Sequence, residues 1–393
     1  MKIYFDHAAT TPVDKQVLEA MQPYFSEKFG NASSVHSFGQ EAEQAVSEAR
    51  KRVADFLNCN SEEIIFTSGA TEADNLAIIG ICHPELFSGS LSKETKPHII
   101  TTAFEHPAVL ETCKYLEKKG VEVSYVKPDS EGIIHVEDIE KEIKNNTILI
   151  SVMYVNNEIG TVQPIKNIGD LLKKINAERT NKIYFHTDAV QATLYQDMNV
   201  ENLGVDLMSI SGHKIYGPKG IGVLYVKKNT PLKNIQHGGH HEFGKRAGTL
   251  NTPGIVGMGQ AIELIKDHDQ EKIKNLRDYL WSELQKNISD LKLNGSLEKR
   301  TPGNLNFSVN GVEGEALLLG LDLAGVAIST GSACSSGSLE PSHVLMAIGL
   351  SHELAHGSLR ITLGYENTKE ECDQFVKTLK PLVEKFRAMA PKG

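Results

Sequence analysis

Several side chains in this sequence are of types, and in settings, suited to covalent chemistry on a small carbonyl-bearing or amine-bearing molecule. Lys214 stands in Ser-Gly-His-Lys-Ile-Tyr-Gly-Pro-Lys-Gly, residues 211–220. An amine in a Gly-lined turn directly after an apolar β-rich run can reach a carbonyl carbon and form a Schiff base, whereas an isolated loop lysine is ordinarily a solvated charge. Asp188 follows Ile-Tyr-Phe-His-Thr. A carboxylate there can hold a ring nitrogen protonated, which makes the ring an electron sink for a carbanion, or it can cap a helix running through Ala-Val-Gln-Ala. Arg360, in Gly-Ser-Leu-Arg-Ile-Thr-Leu, is either an exposed strand charge or a bidentate clamp for a carboxylate. Cys334 lies in Ser-Thr-Gly-Ser-Ala-Cys-Ser-Ser-Gly-Ser, a run of small polar residues expected to form an exposed loop. An ordinary thiol, with a pKa of about 8.5, is only partly ionised near neutrality, but a loop thiol can reach partners that a core thiol cannot.

These residues need elements to hold them. Between residues 62 and 226, β-rich runs beginning at Ile64, His98, Val121, Thr147, Ile183, Leu207 and Gly222 alternate with helix-length polar-patterned stretches, which reads as an α/β domain with a mainly parallel sheet. In open sheets of that kind ligands bind beyond the carboxyl ends of the strands. The residues at the ends of these runs are chemically coherent: Ser68-Gly69-Ala70-Thr71 after the first, Glu105-His106 after the second, Asn156-Asn157 after the fourth, Asp188 with Gln191 after the fifth, and Ser211 to Lys214 at the sixth. The Ser68–Thr71 turn leads into a helical stretch, so its backbone N–H groups suit a phosphate, although such turns are commonly structural. Residues 40–57 repeat apolar side chains at helical spacing, and residues 253–288 form a longer helical region read as a connector. Beyond it, runs at Asn304, Ala327 and Leu359 with intervening helices and a final helix from Lys369 make a second, smaller α/β unit. The boundary is placed near residue 262, giving a large domain of residues 16–261 and a small one of residues 1–15 and 262–393.

Composition narrows the classes. A 393-residue chain with 40% hydrophobic residues can bury a large core, and its formal charge of −9 offers no basic footprint for nucleic acid. MKIYFDHAATTP has acid and polar residues where a signal peptide needs an apolar stretch, and no run approaches a membrane span, so a cytoplasmic protein is expected. Cys59, Cys82, Cys113, Cys334 and Cys372 include no CxxC pair, which argues for reduced thiols rather than a disulfide framework or a zinc knuckle.

Eight ordered segments resemble the NifS/IscS-like cysteine desulfurases, group I of the class V aminotransferase-like family: YFDHAATTP at Tyr4, FGNASSVHSFG at Phe29, TSGATEADN at Thr67, VNNEIG at Val155, HTDAVQ at His186, SGHKIYGPKG at Ser211, RAGTLN at Arg246 and STGSACSSGSLEPSHVL at Ser329. Ala32 departs from the proline usual in the second segment, and Tyr154 stands where a histidine is often found. The resemblance implies a fold-type I pyridoxal-phosphate transferase, a homodimer, and the cofactor held covalently on Lys214. It implies that Ala70, Thr71, Ser211 and His213 bind the phosphate, with Thr249 from the other subunit. His106 would stack on the ring, Asp188 would pair with the pyridine nitrogen, and Asn157 and Gln191 would address the phenolic side or the substrate. Arg360, helped by Asn31, would hold the carboxylate of L-cysteine, and Lys214 or His106 would move the α-proton. Cys334 would take the sulfur as a persulfide for an iron–sulfur scaffold or another acceptor protein, and could serve transiently as an iron–sulfur ligand; no resident metal is implied. The rival readings are an aminotransferase or a selenocysteine-directed lyase on the same fold, and a non-catalytic protein ligating metal through His237, His240 and His241. Transamination needs no thiol, which sets Cys334 against the first.

Overall fold

The computed structural model describes residues 2–83, 96–330 and 340–389. Its strands are β1 (Ile3–Tyr4), β2 (Ile64–Thr67), β3 (His98–Thr102), β4 (Glu122–Val126), β5 (Thr147–Ser151), β6 (Tyr184–Asp188), β7 (Leu207–Ser211), β8 (Gly222–Val226), β9 (Leu291–Leu293), β10 (Asn304–Val309), β11 (Val326–Ala327) and β12 (Ser358–Thr362). β2 to β8 form a seven-stranded sheet in the order β2-β8-β7-β6-β5-β3-β4. All its pairings are parallel except those of β8, which runs antiparallel to both neighbours. β2, β3, β5, β6, β7 and β8 are buried along almost their whole length, as their continuous apolar and threonine-rich runs require of strands covered on both faces. Only β4, at the sheet edge, is largely open toward solvent.

The chain winds from β3 outward to β4 and then returns to place β5 on the other side of β3. That reversal is the topological switch point at which such sheets open a crevice beyond the carboxyl ends of their strands. The helix Ser37–Leu57 begins slightly earlier than its apolar repeat suggests, and it packs against Thr252–Leu264. The expected continuous connector is two helices, Thr252–Leu264 and Gln270–Asn287, separated by a short tighter turn over Ile265–Asp267. Its first half is a core element, with eight of its residues buried, so it does more than connect.

A second apolar core gathers Ile3 and Phe5 with Ile273, Trp281, Phe307, Leu359, Phe375 and Val383. It lies between the antiparallel sheet β12-β10-β9 and the helices Gln270–Asn287 and Lys369–Met389. β1 pairs in parallel with β11, so the first residues of the chain pack with its last third. The segment around Val344 to Ala355 packs instead with the core of the large sheet.

Candidate active site

A cavity of about 690 Å³ opens beyond the carboxyl ends of β2, β3, β5, β6 and β7, and lies between the large sheet and β12. Its size is within the ~300–1,000 Å³ usual for cofactor sites. Ala70, Thr71, His106, Asn157, Asp188, Gln191, Ser211, His213, Lys214 and Arg360 all line it. Asn31 and Thr249 do not: both are exposed, and Asn31 Oδ1 accepts from the Ser33 N–H within its own turn. Cys334 lies outside the described residues.

Each wall of the cavity has a local reason for its position. The helix Ala70–Ile81 starts at Gly69 with no capping side chain, which leaves the first-turn N–H groups of Ala70 and Thr71 to an anion. The turn before it is closely packed: a Cβ at Gly222, on neighbouring β8, would sit 2.6 Å from the backbone of Gly69. Glu72 anchors the turn by accepting from the Ser68 N–H at 2.8 Å and from Arg246 Nε at 2.8 Å. Through that ion pair the RAGTLN segment reaches the phosphate-suited turn.

His106 ends the loop after β3 and caps the helix Pro107–Glu117, its Nδ1 accepting from the Ala108 N–H at 3.1 Å. Burial lowers its basicity, so the ring facing the cavity is neutral near pH 7. Lys214 closes the short turn Gly212–Lys214 after β7, and its Nζ donates to the carbonyls of Ala8 and Ala9 at 2.6 Å each. Gln191 Nε2 donates to the same Ala8 carbonyl at 3.0 Å. The Ala8–Thr10 stretch of the YFDHAATTP segment is thus the floor on which amine and amide rest. His213 Nδ1 lies 3.2 Å from Thr10 Oγ1, and burial lowers the His213 pKa to about 4.

Asp188 is the last residue of β6 rather than the residue before a helix, yet both readings of it hold in part. Its Oδ1 accepts from the Val190 N–H at 3.0 Å, as a cap would, while the carboxyl also faces the cavity. Burial raises its pKa, with His106 and Lys214 pulling the other way. A cationic ring nitrogen beside it would favour the carboxylate further.

Arg360 is no exposed strand charge. On β12 it is 2% exposed, Nη1 donating to the Asn157 carbonyl at 3.0 Å and Nη2 to Asp6 Oδ1 at 2.9 Å, while its buried Nε has no partner. Asn157 Oδ1 is likewise buried and unpartnered. The donor set therefore fits pyridoxal phosphate: an uncapped helix start for the phosphate, a carboxylate for the ring nitrogen, an amine for the aldehyde and a guanidinium for a substrate carboxylate.

Three groups in and beside the site escape a reading of sequence alone, Asp6, Asp74 and Glu158, whereas Glu105 is legible as the residue before His106 but its burial is not. Asp74 is buried with both carboxyl oxygens unpartnered, and burial holds it well above the usual carboxylate range. Burial likewise lifts Glu105 to about 8 and Glu158 to about 7. Asp6, Asp74 and Glu158 sit inside three of the eight family-like segments, which mark their neighbourhood but not their contacts. Among the described thiols, burial pushes Cys59, Cys113 and Cys372 up to about 12 and raises Cys82 as well, so none is a ready nucleophile. No group of three or more histidine, cysteine or acidic side chains among the described residues could hold a metal ion, and none of their helices is long and apolar enough to cross a membrane.

A strand-end cavity with this donor set on a mainly parallel sheet defines a pyridoxal-phosphate enzyme. In agreement, the model of the aminotransferase class-V family matches residues 3–375, and the chain belongs to that family. Within it the chain falls among the IscS-type cysteine desulfurases. It is 51% identical over 393 residues to the cysteine desulfurase IscS of Dictyoglomus turgidum, covering 99% of this chain and 96% of the relative. Among solved structures, a NifS-like protein superposes with a TM-score of 0.89 at 38% identity, covering 98% of this chain and all of that one. SspA in complex with cysteine superposes at 0.81 with 38% identity, covering 94% of this chain and all of that one.

Proposed function

We propose that this chain is a cytoplasmic cysteine desulfurase that converts L-cysteine to L-alanine and keeps the sulfur as a persulfide on Cys334. The observation that carries the reading is the convergence of Lys214, Asp188, His106 and Arg360 on one cavity. Pyridoxal phosphate, when bound, supplies the electron sink for a carbanion at the substrate α-carbon. Lys214 would hold the cofactor through Nζ, the first-turn N–H groups of Ala70 and Thr71 with Ser211 and His213 would take its phosphate, and Asp188 would keep the ring nitrogen protonated. His106 would stack on the ring, and Asn157 and Gln191 would address its phenolic side or the substrate.

Arg360 binds the carboxylate of L-cysteine, which places the α-C–H toward Lys214 Nζ and the His106 imidazole. Either Lys214 Nζ or the His106 imidazole, whose basicity burial lowers, would take that proton. The Cys334 thiolate then attacks the substrate sulfur: one S–S bond forms, the substrate C–S bond breaks, and a proton returned to the β-carbon gives alanine. L-cysteine and a thiol thus yield L-alanine and a persulfide, with no external oxidant. An iron–sulfur scaffold or another acceptor protein then receives the sulfur, with Cys334 a transient iron–sulfur ligand in the first case. Thr249, which does not line the cavity of its own chain, would complete the partner's phosphate site in a homodimer, and Asn31 would help Arg360 with the substrate carboxylate.

Incubation with L-cysteine, followed by mass spectrometry of the Cys334 peptide and an alanine assay, tests this reading. A gain of one sulfur on that peptide with alanine formed in step is expected. Cys334→Ala should keep the yellow cofactor and lose nearly all sulfide release, about a hundredfold or more, as expected when a covalent nucleophile is removed; full activity in that variant would refute the role given to the thiol.

A further inference from the structure

We propose that Asp6 is a specificity-determining residue for this reaction: it offsets the charge of Arg360, so that the subsite admits a single carboxylate and disfavours ligands with a second negative charge. The inference rests on the reading of Arg360 as the substrate clamp and adds to it a residue with no role so far.

The geometry is specific. Asp6 Oδ1 accepts from Arg360 Nη2 at 2.9 Å, and Asp6 Oδ2 accepts from Ser329 Oγ at 3.1 Å, so both oxygens of the carboxylate are fixed. Its backbone is pinned as well. Asp6 bridges to Thr362 on β12, and its carbonyl accepts from the Ala9 N–H at 3.0 Å. Asp6, Ser329 and Arg360 line the same cavity as Lys214. Glu158, a second carboxyl group that feels the charge of Arg360, is turned into a bond with the Ser342 hydroxyl, and burial pushes it up to about 7.

The cavity therefore presents a guanidinium that already holds one carboxylate, with N–H donors to spare on a side chain carrying five. An arriving monocarboxylate shares the arginine with Asp6. A ligand with a second carboxylate brings a further negative charge within several ångströms of Asp6, where like charges in a partly desolvated site repel strongly enough to change affinity about tenfold or more. Cysteine carries one carboxylate and passes; an amino acid of similar size with an acidic side chain is held off. Had Asp6 served only to orient Arg360, its charge would be dispensable and its shape alone would matter.

The test uses the holoenzyme with its natural cofactor. Wild type and Asp6→Asn are titrated with L-alanine and L-aspartate, with binding read from the visible absorbance of the bound cofactor, and KM and kcat for L-cysteine are measured in parallel. Asp6→Asn keeps the shape and an acceptor oxygen for Nη2 while removing the charge. It should bind L-aspartate about tenfold more tightly relative to L-alanine, with KM for cysteine lowered more than kcat is changed. Asp6→Glu, which restores the charge, should bring the discrimination back toward wild type, and Asp6→Ser serves in place of Asp6→Asn should the latter fail to fold. An unchanged aspartate-to-alanine ratio, or weaker binding of both amino acids, overturns the proposal. Arg360→Lys separates it from the reading beneath: if that variant binds both amino acids as wild type does, the clamp itself is wrong, whereas weak binding there with an unchanged ratio in Asp6→Asn sinks only the role of Asp6.

Discussion

At the scale of single residues, the site is backed by a layer of acid and imidazole whose charged forms burial disfavours. His186 is fully enclosed, its Nδ1 at 2.8 Å from Ser151 Oγ and its Nε2 at 3.0 Å from Ser209 Oγ, and its pKa falls to about 3. Asp74 Oδ1 sits 3.5 Å from the same Nε2, and desolvation, helped by the nearby Asp188, raises its pKa well above the usual carboxylate range. Glu105 is the third member: Oε1 accepts from Thr102 Oγ1 and the Met153 N–H, Oε2 has no partner, and burial raises it to about 8. Neighbours whose charged forms burial disfavours leave Asp188 freer to carry the negative charge that a protonated ring nitrogen needs. The raised Glu105 has a consequence for stability. Between the ordinary carboxyl value of 4.5 and about 8 the native chain keeps a proton that the unfolded chain releases, so the contribution of Glu105 is complete below 4.5 and is lost as pH rises through 8. Glu105→Gln mimics the protonated acid at every pH. In denaturant titrations the variant should gain on wild type between about pH 4.5 and about pH 8 by a few kcal/mol, at about 1.4 kcal/mol for each pH unit over which the native site resists ionisation. The depressed histidines are common to both proteins and cancel from the difference, so a gap independent of pH would show that Glu105 is ionised when folded.

At the scale of elements, the phosphate-suited turn depends on a close approach that only glycine allows. Ser68 to Thr71 leave β2 and enter the helix Ala70–Ile81 directly against the start of β8. A methyl group at Gly222 would meet Gly69 at 2.6 and 2.7 Å and the Ile210 carbonyl at 2.9 Å, all backbone atoms that cannot swing aside. Gly222→Ala should therefore displace the turn, weaken pyridoxal-phosphate retention about tenfold or more and cost ~1–3 kcal/mol of stability, read by equilibrium dialysis and thermal melting. Retention equal to wild type would mean that the turn does not hold the phosphate. This part of the fold was legible in the sequence because the strands of the large sheet are short β-rich runs and most are followed at once by polar residues. Less legible were elements whose order comes from distant pairing. β1 and β11 are two residues each and exist only because the chain's beginning meets its last third. The antiparallel course of β8 has no local mark, and the break after Leu264 occurs in a stretch with continuous helical composition. The same limit applies within the site. Lys214, Asp188 and His106 lie at strand ends and could be anticipated, whereas Asp6 matters through a partner 354 positions away.

For the whole molecule, one stretch of chain gathers several exposed large apolar side chains. Leu18, Phe25, Phe29, Val35 and Phe38 are all more than half exposed, Val35 at 90%, and Phe243 is exposed next to the RAGTLN segment. Phe29 and Phe38 pack on each other with ring centroids 5.7 Å apart, so they form a patch rather than scattered side chains. Apolar surface gathered in this way usually marks an interface. Asn31 lies within the same stretch, and Thr249 is close in sequence to Phe243; these are the two expected site residues that stay outside their own cavity. A homodimer closing over the patch accounts for both facts together, because burying the aromatic residues would carry Asn31 and Thr249 against a second copy. If so, dimerisation and cofactor retention are linked, and binding that completes a phosphate site across subunits stabilises the pair in proportion to ligand affinity. Phe29→Asp in combination with Phe38→Ser should shift the protein to monomer in sedimentation velocity at micromolar concentration and lower pyridoxal-phosphate affinity about tenfold or more, although neither residue lines the cavity. Thr249→Ala should weaken the cofactor alone and leave the dimer intact. A monomeric wild type, or a monomeric variant that binds the cofactor as tightly as wild type, would remove the second subunit from the site and leave Asn31 and Thr249 without a function there.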